Sequence, residues 1–125
     1  MKLSTLMVIN AILAAIFGVT FIIAPGQAFP LYGFDPNPQL NLMGQLWGGF
    51  AVGFAVLTWS ARNVTESEAR RAIVLALFVA PAIGFIVALI AQLGGVVNAF
   101  GWSTVAIYLL LAIGFGYFQF TKPTT

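Results

Sequence analysis

The sequence predicts an all-α polytopic membrane protein, a four-transmembrane-helix bundle with both termini cytoplasmic. Three observations predict it. The 125 residues are 61% hydrophobic and 6% charged, whereas soluble domains carry roughly 25% charged residues. The apolar residues gather into four runs of about 20 residues, enough helix to cross about 30 Å of hydrocarbon. All five Lys and Arg residues fall on one side of the membrane that those runs define. So little charge cannot cover a water-facing surface, and the solvent around most of the chain is therefore lipid. The length suits a single membrane domain over residues 1–125.

The runs cover about 3–24, 40–60, 71–93 and 102–120. Strands are excluded because barrel strands need about 10 residues of alternating polarity, and these runs do not alternate. The first run follows Met1-Lys2 and resembles a signal peptide in its start. It is longer than an h-region of about 7–15 residues, and Pro25-Gly26-Gln27 is a poor cleavage context, so it is read as a retained helix.

The joints follow from local chemistry. Pro25-Gly26 ends the first helix, and Pro30, Gly33, Pro36 and Pro38 keep the stretch from Phe29 to Gln39 out of regular helix. Asn63 to Glu68 is a polar turn in which Thr65 or Ser67 caps the third helix, with Glu66 and Glu68 favourable at its N-terminus. Gly94-Gly95 closes that helix, and Gly101-Trp102-Ser103 opens the fourth. Lys2, Arg62, Arg70, Arg71 and Lys122 share one side, and the other side holds only Asp35. The positive-inside rule makes the basic side cytoplasmic. Trp59, Trp102, Tyr32 and Tyr117 fall near run ends, as interfacial anchors do.

Small residues form the clearest pattern within the runs. Ala72, Ala76, Ala80, Gly84 and Ala88 recur every four residues in the third, and Gly44, Gly48, Gly49 and Gly53 make two overlapping Gly-xxx-Gly pairs in the second. Such spacing lets helix backbones approach closely, and the expected use is packing of the second helix on the third. Pro81 predicts a kink in the third helix. Asn10, Gln45 and Gln92 are polar at membrane depth and are read either as interhelical hydrogen-bond donors or as the lining of a small polar cavity. Asn63-Val64-Thr65 matches a glycosylation sequon, but the predicted cytoplasmic side discounts it.

The absences narrow the function. With no Cys and no His, the chain lacks the usual haem, iron–sulfur and transition-metal ligands and the commonest general base. No catalytic, cofactor-binding or metal-binding residue is assigned, and the protein is not expected to be an enzyme. No run holds an acidic or basic residue in its core, which argues against proton coupling. A net charge of +2 offers no basic face for nucleic acid.

The block Arg62-Asn63, Ser67-Glu68-Ala69-Arg70-Arg71-Ala72 and Gly101-Trp102-Ser103-Thr104, with Leu31-Tyr32-Gly33 in the first outer loop, resembles a group of small uncharacterised four-helix bacterial integral membrane proteins. The resemblance implies a bacterial source and a four-helix bundle, and it implies no activity; the expected location is the bacterial plasma or inner membrane. The first helix lacks the acidic residue of small multidrug exporters, and the Gly-rich Arg-Tyr signature of dual-topology fluoride channels is missing. Two functions are expected. The first is an accessory, scaffold or assembly subunit whose helices pack against a second copy or other membrane subunits. The alternative is an uncoupled oligomeric carrier or channel for a small neutral or apolar solute.

Overall fold

The computed structural model describes residues 2–65 and 67–121, so Met1, Glu66 and residues 122–125 lie outside the described residues. All regular elements among the described residues are helical: α1 (Leu3–Ile23), α2 (Pro25–Ala28), a 3₁₀ turn (Phe29–Tyr32), α3 (Pro38–Ala61), α4 (Glu68–Leu93) and α5 (Gly101–Phe120). Four of them are long and apolar enough to cross a membrane, and only 17–28% of their apolar windows is buried. Ile23, Phe50, Leu93, Leu110 and Phe120 are each more than two-thirds exposed. Apolar surface on this scale has no favourable contact with water, so a multi-pass membrane protein accounts for it.

The helix ends obey the capping rules. α3 begins at Pro38, earlier than the expected residue 40, because the Asn37 side chain accepts a 2.8 Å hydrogen bond from the Leu40 amide and Pro38 needs no donor at the first helical position. Of the two candidate caps for α4, Ser67 does the work, accepting from the Arg70 amide at 3.1 Å, and the helix starts at Glu68 rather than 71. At its far end the Val96 amide reaches the Ala91 carbonyl, and Gly95, at φ 74°, donates to Gln92. This is a Schellman closure, and its left-handed residue favours glycine. The Pro-rich loop between α1 and α3 is more helical than its composition suggests. Pro25 starts the single turn of α2, and the 3₁₀ turn stops where Gly33 turns left-handed at φ 88°. α4 runs through the buried Pro81 as one helix, although proline supplies no donor to the Leu77 carbonyl.

The chain divides into two compact units, one over residues 7–62 and the other comprising the residues up to Leu6 with those from Asn63 onward. In the first unit α1 and α3 pack antiparallel. Gly18 and Gly48 meet there backbone to backbone: a methyl group at Gly48 would lie 2.6 Å from the Gly18 carbonyl, and one at Gly18 would lie 2.9 Å from the Gly48 carbonyl. At the C-terminal end of α1, Phe21 stands edge-on to Phe29 and Trp47 at 5.1 and 5.2 Å, and Tyr32 stacks on Phe34 at 6.3 Å. These rings fill one another's space as a packed cluster around Phe21, Ala28 and Phe29. At the opposite end of α3 the Arg62 guanidinium lies 3.8 Å over the Trp59 ring and donates to the Trp59 carbonyl.

In the second unit α4 and α5 pack antiparallel along their length. The buried face of α4 is Val74, Leu77 and Pro81, continued by Gly84 against the Tyr108 ring. The facing residues on α5 include Gly101, Val105, Ala112, Phe115 and Gly116. Phe78 lies against Gly116 and stands edge-on to Phe120 at 5.2 Å, while Leu6 fills the notch at Gly114.

Candidate functional site

Two kinds of feature could carry function at membrane depth: the polar side chains and the small-residue faces. The polar side chains are committed locally. The Asn10 amide on α1 donates to the Thr58 hydroxyl on α3 at 3.0 Å, and Thr58, fully buried, donates in turn to the Phe54 carbonyl. A hydroxyl in that position can give its proton to only one acceptor, so Asn10 supplies the second contact. Gln45 donates at 3.1 Å to the carbonyl of Ile22, in the last turn of α1. Asn10 and Ile22 stand twelve residues apart on one helix, about 18 Å of rise. Asn10 and Gln45 therefore do not converge on one cavity. Gln92 donates to the carbonyls of Val97 and Asn98 at 3.4 and 2.9 Å and so holds the loop between α4 and α5. The expected polar lining of Asn10, Gln45 and Gln92 is thus divided among three local tasks.

The small residues separate into used and unused faces. Gly44 and Gly48 are packed, the first against the Phe29 and Phe21 rings and the second against Gly18 and Ile22 of α1. Gly84 is packed against Tyr108 of α5. Within their own units, Gly44 and Gly48 of α3 meet the loop after α1 and α1 itself, and Gly84 of α4 meets α5. Ala76 and Ala80 are exposed, and Ala88 is half-buried. A spacing of four advances 400° rather than 360°, so the alanine stripe drifts about 40° per step, and only its Gly84 end swings onto the buried face.

Gly49 and Gly53 have no such neighbours. A methyl group at either would meet nothing within 4 Å. The two glycines form the floor of a shallow groove on α3, bounded by Gln45, Leu46, Phe50, Phe54 and Leu57. Phe50 is 75% exposed beside it. Gln45, Gly49, Gly53 and Leu57 follow one another at intervals of four, so the amide lies at the head of the glycine line. Its nitrogen carries two hydrogens, and Ile22 takes one of them.

Two participants give little signal of their packing partners in sequence. Gly18 is a single glycine in an apolar run, marked only by Ala11, Ala14 and Ala15 before it at helical spacing. Thr58 stands out in sequence as one of the few polar residues at membrane depth, but nothing there pairs it with Asn10. Among the described residues no group of three His, Cys, Asp or Glu side chains could hold a metal ion. No protein-family model, curated protein or solved structure matches the chain.

Proposed function

We propose that this chain is a non-catalytic membrane subunit that associates through α3 with a transmembrane helix of another chain, as an accessory or assembly component. One observation carries the reading: Gly49 and Gly53 line an open groove while the other glycine pair of the same helix is fully used inside its unit. In water such a face would be unremarkable. In lipid no hydrophobic force drives helices together, and close approach at small residues is the main source of association. A glycine facing lipid gives up side-chain contact, whereas a glycine under a partner helix gains backbone contact on both sides. The remaining donor and the oxygen of Gln45 support the same reading. They lie in line with the groove, and a partner helix there can satisfy them where lipid cannot. The carrier reading is less well supported, because Asn10, Gln45 and Gln92 each have a donor committed to a local bond. The distribution of Lys2, Arg62, Arg70, Arg71 and Lys122 further supports an orientation with both termini on the cytoplasmic side, and the resemblance, which implies a bacterial source, points to a bacterial plasma membrane.

The test exploits the absence of native cysteine. A single cysteine at Gly53, oxidised or bridged in native membranes, should give a discrete crosslinked species, and its mass separates a second copy from a different subunit. A cysteine at Ile16, exposed on α1, is the control. Crosslinking no stronger at Gly53 than at Ile16, in membranes where both cysteines react with a small maleimide, would refute the proposal.

A further inference from the structure

We draw no further inference here: the strongest candidate, the open Gly49–Gly53 groove on α3 beside the exposed Phe50, belongs to the face already described, and nothing in the structure shows which helix or lipid covers it.

Discussion

Replacing Gly48 with alanine should destabilise the protein, and replacing Gly49, its immediate neighbour, should not. The two residues differ by 100° around one helix. At Gly48 the added carbon would lie 2.6 Å from the Gly18 carbonyl oxygen, 2.9 Å from a side-chain carbon of Ile22 and 3.3 Å from its amide nitrogen. Two of these three are backbone atoms, which cannot rotate away as the end of a side chain can. Ordinary contact begins near 3.4 Å, so α1 and α3 must separate by most of an ångström. The retreat weakens contacts at every level of the pair, including the Asn10–Thr58 hydrogen bond. Overpacking of a close contact typically costs about 1–3 kcal/mol, a factor of roughly 5 to 150 in the folding equilibrium. At Gly49 the same methyl meets nothing within 4 Å, and alanine is the better helix former by up to about 1 kcal/mol. Thermal unfolding in a mild detergent, followed by the fraction remaining monodisperse, should show Gly48→Ala well below the parent and Gly49→Ala at or above it. Equal midpoints for the two variants would refute the assignment of α3's inner and outer faces.

Gly84→Ala should cost less than Gly48→Ala, about 1 kcal/mol, because its close neighbour at 2.8 Å is the Tyr108 ring, which can tilt; Gly84→Leu should cost more, and thermal midpoints in one detergent rank the three. The Asn10–Thr58 hydrogen bond should contribute roughly 0.6 kcal/mol and no more than about 1.7 in a double-mutant cycle with Asn10→Leu and Thr58→Val; a coupling near zero would mean the bond is not formed. Reporter fusions at the C-terminus and within residues 26–39 should give opposite readouts, the C-terminal one cytoplasmic, and matching readouts would overturn the four-span topology. Purified tag-free protein should show no Soret band and no stoichiometric transition metal, since tight sites rely on imidazole or thiolate and the chain has neither.

What sequence could reveal was set by chemistry local to the chain. Ser67 and Gly95 act within a few residues of themselves, through a cap and a left-handed turn, so their roles follow from residue type and position. The spans are legible for a similar reason, because hydropathy is summed along the chain. The start of α3 is also local chemistry: Asn37-Pro38 is a cap followed by a first-turn proline, although Pro30, Pro36 and Pro38 together carry the composition of a helix breaker. Packing partners are another matter. Gly44, Gly48, Gly49 and Gly53 are equally good close-approach residues in sequence, and nothing in their spacing says which pair faces inward. That depends on the antiparallel register of α1 against α3, which puts Gly18 opposite Gly48. The same register selects Thr58 for Asn10 and the Ile22 carbonyl for Gln45, the latter a backbone partner with no residue-type signal at all.

The two faces of α3 also explain why one helix carries two glycine pairs offset by five residues. Residues five apart stand 500° apart, or 140° after a full turn, so the pair Gly44/Gly48 and the pair Gly49/Gly53 cannot serve one neighbour. A helix needing only α1 would be stabler with larger side chains on the second face, since glycine there forfeits dispersion contacts with lipid and lowers helix propensity. The outward pair therefore has a cost that the proposed contact with another helix would offset. Gln45 fits the same pattern: Ile22 takes one of its hydrogens, and the residue also lines the groove. If the groove binds a helix, substituting leucine at Gly53 should abolish association while leaving monomer stability in detergent unchanged, because that position has no neighbour within 4 Å. Loss of both properties together would place Gly53 in the fold's own packing and remove the main support for a subunit role. Retention of both would leave the groove facing lipid, and the subunit reading would then fail at this helix.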